Sequence, residues 1–201
     1  MEIRKVIERA TLDLLKDTHV DQLSITEIAK KAYISRVTFY NHFENKYEVI
    51  ESIFCNLIIR FDEIQKKNSN YLFEIDLSNV EEIKQKLYPN TLEILEYFYS
   101  EKGTITILLS DKSGMDFMER LYEVYFKHFK TALPDLYYFK FTSIALDQYA
   151  VFMTKGVTAI VENWFYTKFN SSPEFIANSI LNMLAFALND LYCSNLVNIE
   201  K

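Results

Sequence analysis

Between Ser24 and Lys46 the chain gathers side chains suited to hydrogen bonding along a double helix rather than to bond making. They are Thr26, Ser35, Arg36, Thr38, Tyr40, Asn41, His42 and Lys46, with the branched Val37 among them. Arg36 can bond bidentately to a guanine edge, Val37 can pack on a thymine methyl, and Asn41 can read adenine or hold a phosphate. Thr38, Tyr40 and His42 carry hydroxyls or a ring N–H that suit phosphate oxygens, contacts that fix register without reading sequence. Lys46 brings charge to the start of a following helix, whose free amides offer a second phosphate clamp. Thr26, in the first turn of a preceding helix, is placed for the same backbone.

Those groups need a short, anchored rod. Ser24 and Glu27 stand ahead of an apolar periodicity in the pattern of a capping box, each side chain serving the other's amide. Ile25, Ile28, Ala29 and Ala32 then form the inward stripe of a helix of about two turns. Ser35 is a second N-cap, with Ile34 before it to pack back, and both capping serines join the candidate contacts. A helix over Ser35 to Phe43 advances roughly 100° per residue, which sets Phe39 and Phe43 together. Val37 and Asn41 fall nearly opposite, flanked by Arg36 with Tyr40 and by Thr38 with His42. An aromatic anchor backed by a polar, branched and basic face is what a recognition helix in a major groove requires.

Residues 3 to about 50 resemble the DNA-binding domain of TetR-family transcriptional regulators. The likeness rests on Thr38, Phe39, Tyr40, Asn41, His42, Phe43, Glu44, Asn45 and Lys46, similar to that family's Thr-hydrophobic-Tyr-x-His-Phe-x-x-Lys signature. Ile28-Ala29 upstream and Val49-Ile50 downstream also fit. The resemblance implies a first helix over about 2–18, a reader made of the second and third, and a fourth that tethers it to the body. Two positions depart from the family's pattern, which usually has glycine in the turn between helices 2 and 3 and often another after helix 1. Tyr33 and His19 stand there instead. A positive φ at Tyr33 would cost on the order of 1 kcal/mol, while His19 is expected to end a helix rather than ligate anything.

Charge supports the division. The chain carries a net −6, yet residues 1–50 hold eight Lys/Arg and eight Asp/Glu, so the acidic surplus belongs to the remainder. Lys30, Lys31, Arg36 and Lys46 against Glu44 leave the reader a small basic surface. With three glycines, three prolines and 49% hydrophobic residues, the composition points to an all-α protein. We expect a three-helix helix-turn-helix DNA-binding domain over 1–47 and a larger C-terminal helical domain over 48–201 for effector binding and dimerisation. Beyond a helix over about 46–67, the expected helices lie near 79–87, 90–101, 104–110, 115–132, 137–169 and 173–193. Pro89, Gly103, Gly114, Pro134 and the Ser-Ser-Pro at 171–173 set the breaks.

The last two of those helices are apolar almost all round, so they must be buried on two sides. One side suits the chain's own body and the other a second copy, a homodimer face of Val157, Ile160, Val161, Trp164, Ile176, Ile180, Met183, Leu184, Ala187 and Leu191. TetR-like regulators dimerise through their last two helices, so the resemblance implies the same. It also implies an effector cavity among helices 5 to 8. Met115, Phe117, Tyr122, Phe126, Tyr149, Phe152 and Met153 are the candidate lining for a small apolar or aromatic effector. Thr91 to Trp164 resembles, more loosely, a C-terminal domain frequent among such regulators in Gram-positive bacteria.

Other chemistries find little support. Glu93, Glu96, Asp147 and Glu162 stand beside no His, Ser or Cys at a catalytic spacing, so no catalytic residue is assigned. His19, His42 and His128 form no metal cluster, and no metal or other cofactor is expected. Cys55 and Cys193 lack CxxC spacing and are expected to be free, buried thiols. The N-terminus has no apolar h-region, and the longest uncharged run, Phe175 to Asn189, is too short for a membrane span. The expectation is a cytoplasmic, ligand-responsive homodimeric repressor of its own or a neighbouring operon, bound to a palindromic double-stranded operator. The alternatives are a helical adaptor or enzyme with a vestigial helix-turn-helix, or a regulator controlled by a protein partner.

Overall fold

A computed structural model describes residues 2–68, 75–136 and 143–196. Among the described residues all regular structure is helical: α1 (Glu2–Leu15), α2 (Ile25–Lys31), α3 (Arg36–Tyr40), α4 (Lys46–Asn68), α5 (Val80–Ser100), α6 (Lys102–Leu108), α7 (Phe117–Leu136), α8 (Ser143–Tyr166) and α9 (Pro173–Leu196). None of these helices is long and apolar enough to cross a membrane. The chain divides into two compact units, one of Met1–Arg60 with Glu101–Phe117, the other of Phe61–Ser100 with Met118–Lys201.

In the first unit, α1 buries Ile7, Ala10, Thr11 and Leu15, the i, i+3, i+4, i+8 stripe of an amphipathic helix. Ile28, Ala29, Phe39, Phe43, Val49, Ile50 and Phe54 of the same unit are buried as well. Residues 101–117 belong here although 40 residues of the other unit precede them. α6 buries Ile105 and Leu108, and a 3-10 turn over Asp111–Ser113 ends at Gly114 with φ +67°. Glycine is required there twice over, because a Cβ would also approach Val20 Cγ1 to 2.9 Å. The Lys112 ammonium donates to the Lys16 carbonyl at the end of α1.

The second unit is built around aromatic side chains. Phe61 stacks on Phe98 at 6.0 Å and meets Tyr125 edge-on at 5.0 Å, and Phe98 meets Phe165 at 5.7 Å. Trp164 is buried, and its indole N–H donates to the Ser171 carbonyl at 2.9 Å. A further cluster of Leu77, Ile83, Ala150, Met153, Ala185, Leu188 and Leu191 joins α5, α8 and α9.

Two expectations are corrected and a third is not tested. α5 runs unbroken through Pro89, which forfeits one amide hydrogen bond yet does not end the helix. Its buried residues Ile83, Ile94, Leu95 and Phe98 lie on both sides of the proline and hold the two halves in one rod. Cys55 and Cys193 are exposed rather than buried. The proposed start of the penultimate helix, over 137–142, lies outside the described residues.

Candidate nucleic-acid interface

Local chemistry builds the reader as the sequence implies. Ser24 Oγ accepts from the Glu27 amide at 3.2 Å while Glu27 accepts from the Ser24 amide at 2.8 Å, closing the capping box of α2. The Ser24 hydroxyl also donates to the Glu27 carboxylate at 2.7 Å, and this bond, with that from the Ser24 amide, holds the Glu27 carboxyl below its ordinary value. Ser35 Oγ accepts from the Thr38 amide at 3.0 Å and caps α3. Between the helices, the Tyr33 amide donates to Lys30 and the Ile34 amide to Ala29, the two bonds of a Schellman turn. Tyr33 occupies its left-handed position at φ +56°. His19 has an ordinary φ of −66° and caps a 3-10 turn through Nδ1, which accepts from the Asp21 amide.

The rings of Phe39 and Phe43 lie 6.0 Å apart with at most 1% of either residue exposed. On the other side Val37 is 70% exposed and Tyr40 49%. Thr26, Arg36 and Asn41 are also exposed, while Thr38, His42 and Lys46 are half-buried. A short rod thus presents a branched apolar group and a guanidinium outward, with amides and hydroxyls beside them. That set can read base edges and grip phosphates without a charged residue entering the core.

Two groups have roles the sequence did not disclose. The Lys46 ammonium donates to the carbonyls of Asp21 at 2.8 Å and Leu23 at 2.9 Å, so it fastens the start of α4 to the loop before α2. Arg4, on α1, lies 4.1 Å over the Phe43 ring and donates to the His42 carbonyl at 2.8 Å. It therefore holds the C-terminal end of the recognition element from behind. An arginine on an amphipathic helix reads as a solvated charge, so no sequence signal marked it. Asn45 caps α4 by accepting from the Tyr47 and Glu48 amides.

Of the residues expected to line an effector cavity, Phe126 and Tyr149 pack against the cluster that holds Met153, and Tyr122 stacks on Phe126. Met115 and Phe117 lie in the first unit, where Phe117 packs edge-on against Phe54 at 5.7 Å. Of the others, in the second unit, Phe152 is 68% exposed. Tyr122 stacks on Phe126 at 5.8 Å, with the Lys155 ammonium 3.5 Å from the Tyr122 ring centre. Tyr149 donates to Asp190 at 2.8 Å, and Met153 is core. The expected dimer residues differ in burial. Val157, Val161, Trp164, Ile176, Ile180 and Leu191 are buried within the chain itself. Ile160, Leu184 and Ala187 are half-buried and Met183 is exposed. The outward apolar side chains of α8 and α9 are Phe152, Tyr166, Phe175, Met183 and Phe186. Among the described residues no group of His, Cys, Asp and Glu is arranged to hold a metal ion.

An all-helical chain with a capped, outward-facing recognition helix on an N-terminal unit defines the class of helix-turn-helix regulators. Residues 7–53 match the family model for bacterial regulatory proteins of the tetR family, and residues 85–185 match that for a transcriptional regulator C-terminal region. The chain belongs to the TetR family of DNA-binding transcriptional regulators. It is similar to the HTH-type dhaKLM operon transcriptional activator DhaS of Lactococcus lactis subsp. lactis (strain IL1403). That match is 38% identical over 68 residues, 34% of this chain and 35% of DhaS. Similarity to the HTH-type transcriptional regulator YxbF of Bacillus subtilis (strain 168) extends over 89% of this chain and 44% of YxbF at 21% identity. The chain thus spans less than half the length of the curated relatives it matches. Among solved structures, NalD, the secondary repressor of the MexAB-OprM multidrug efflux pump in Pseudomonas aeruginosa, superposes with a TM-score of 0.65. That superposition covers 92% of this chain and 96% of NalD at 14% identity, a likeness of fold.

Proposed function

We propose that two copies of this chain bind a palindromic operator, one α3 in each of two successive major grooves, and that a small apolar effector taken up by the helical body releases them. The observation that carries the reading is the division of α3, with Phe39 buried and Arg36, Val37, Tyr40 and Asn41 turned out. Arg36, Val37 and Asn41 contact bases; Ser24, Thr26, Ser35, Thr38, Tyr40 and His42 contact the phosphate backbone. Lys46 adds a phosphate contact through the ammonium proton its two carbonyl bonds leave over. Residues 1–47 are the reading domain and 48–201 the effector and dimerisation domain. The second copy docks on the outward apolar residues of α8 and α9, where Phe152, Phe175 and Met183 would otherwise stay in water.

Two recognition helices must sit about 34 Å apart to enter successive grooves, so a shift of a few ångströms in the body suffices to release the operator. Repression is the simplest outcome of such a design, although the similar DhaS is a transcriptional activator. Purified protein should retard a fragment of its own promoter region, and Arg36→Ala should weaken that binding by about 1–3 kcal/mol. Failure to retard any genomic fragment at low salt removes the reading. A reporter driven by the retained fragment then decides between repression and activation.

A further inference from the structure

Resting on the reading that the body takes up a small effector, we propose that the Thr154 hydroxyl is the polar anchor of that site and that the effector is a neutral, mostly apolar molecule with one hydrogen-bonding group.

Thr154 is fully buried, and its Oγ1 has no hydrogen-bond partner. A helical threonine ordinarily has a remedy at hand, the carbonyl four residues back. Thr11, Thr106, Thr131 and Thr158 all take it, bonding to Ile7, Lys102, Lys127 and Thr154. The Thr154 hydroxyl does not bond to the Ala150 carbonyl, so it is turned away from its own helix. Helical rotation puts it amid the buried stripe of α8, with Ala150, Val157, Thr158, Val161 and Phe165 all within about 60° of it. The hydroxyl is therefore aimed into the core. An unmet buried hydroxyl is costly and rare in folded proteins, which makes this one a marker of something it is meant to meet.

Register identifies what faces it. α7 and α8 run antiparallel, tied by Lys130 to Asp147 at 3.0 Å and by Lys155 to Glu119 at 4.0 Å. Those two pairs set Thr154 level with residues 121–122 of α7, whose inward side chains are Leu121 and, one turn on, Tyr125. Burial alone pushes the Tyr125 phenol above its ordinary value, so it stays a neutral donor at any physiological pH. Tyr125 lies one turn from that level, and the Phe61 ring is 5.0 Å from its own.

Charge decides the ligand class. Among the described residues the buried polar side chains are Thr11, Ser113, Thr154 and Thr158 beside the Tyr125 phenol, and no Asp, Glu, Lys, Arg or His is buried. An effector bearing a carboxylate, phosphate or ammonium would leave its charge unpaired there, at a desolvation cost no hydroxyl offsets. A phenol, alcohol, ketone or ester with a ring or short alkyl body meets both demands.

Calorimetric titration of the full-length protein with 4-propylphenol, propylbenzene and 4-propylbenzoate tests this. The phenol should bind at least tenfold more tightly than the hydrocarbon, and the benzoate should not bind. Thr154→Val should bring the phenol down to the hydrocarbon's affinity and leave propylbenzene unchanged, while Thr154→Ser should keep the difference. Without any probe, Thr154→Val should melt at a higher temperature, since it removes an unmet hydroxyl without changing shape. An unchanged phenol preference in Thr154→Val, or benzoate binding as tight as the phenol's, overturns the anchor but leaves the effector reading standing. A lower melting temperature shows the hydroxyl to be bonded within the protein and overturns the anchor as well. Absence of binding by all three probes overturns both.

Discussion

Tyr33→Gly should raise the stability of the protein, and the size of the gain follows from its turn. The left-handed position between α2 and α3 holds Tyr33 at φ +56°, a backbone that costs an L-residue roughly 1–2 kcal/mol. With 96% of the residue exposed, the ring contributes no packing to set against that. Glycine removes the strain but brings about 0.5–1 kcal/mol of extra chain entropy in the unfolded state. The amide bonds of Tyr33 and Ile34 to Lys30 and Ala29 involve backbone alone and survive. The net expectation is a gain of about 0.5 kcal/mol, read by urea denaturation followed by circular dichroism. Phe169 supplies the control, because it shares the geometry at φ +56° but is buried, with its ring 4.9 Å from Trp164 and 5.0 Å from Phe165. Emptying that site costs about 3–5 kcal/mol, far more than the strain it relieves. Phe169→Gly should thus destabilise by roughly 2–3 kcal/mol where Tyr33→Gly stabilises. A loss in Tyr33→Gly beyond measurement error, or a gain in Phe169→Gly, would refute the reasoning.

Other substitutions separate holding from reading. Lys46→Ala should lower operator affinity evenly across sequences and also cost about 1–2 kcal/mol of stability through its two carbonyl bonds; unchanged denaturation would show that those bonds contribute nothing. Arg4→Ala should destabilise the reader by about 1–2 kcal/mol and weaken every operator alike, with base preferences from selection on random duplexes unaltered. Because the Ser24 bonds depress Glu27, the capping box contributes fully above the ordinary carboxylate range and is lost as pH falls through the lowered value. Protection of the first amides of α2 relative to their intrinsic exchange should fall over that acid window, and Glu27→Gln, which keeps both bonds without titrating, should abolish the fall.

What the sequence disclosed was local. The capping box, the second serine cap and the Phe39–Phe43 pair each lie within a few residues, so spacing alone determines their geometry. Tyr33 could be singled out for the same reason: the turn's demand for a left-handed residue is written in its neighbours. Arg4 could not, since its partners His42 and Phe43 lie far along the chain. The assignment of 101–117 to the reader's unit is likewise tertiary, and no composition shift marks Glu101 or Phe117. Pro89 misled for a related reason. Proline taxes a helix locally, whereas the buried residues on both sides of it repay that through contacts a window of sequence does not contain.

The face of α8 and α9 shows where periodicity stops being informative. Each helix carries two apolar stripes, and rotation at about 100° per residue separates them without saying which one is inside. The expected partner face drew on both, so Val161, Trp164 and Ile176, which are buried in the chain, stood in it beside the exposed Met183. Physics favours the outward stripe for a partner. A surface that meets water until a partner arrives has to be diluted, and the outward sides of these helices are: Phe152 and Tyr166 share theirs with Gly156, Ala159 and Asn163, and Phe175 and Phe186 share theirs with Asn178 and Asn182. Small and amide-bearing residues between exposed rings keep a single chain tolerable in solution and still leave anchors for a second copy. A glutamate in place of Phe186 should then give a folded monomer that no longer retards a palindromic operator, while glutamate in place of Val161 should fail to fold.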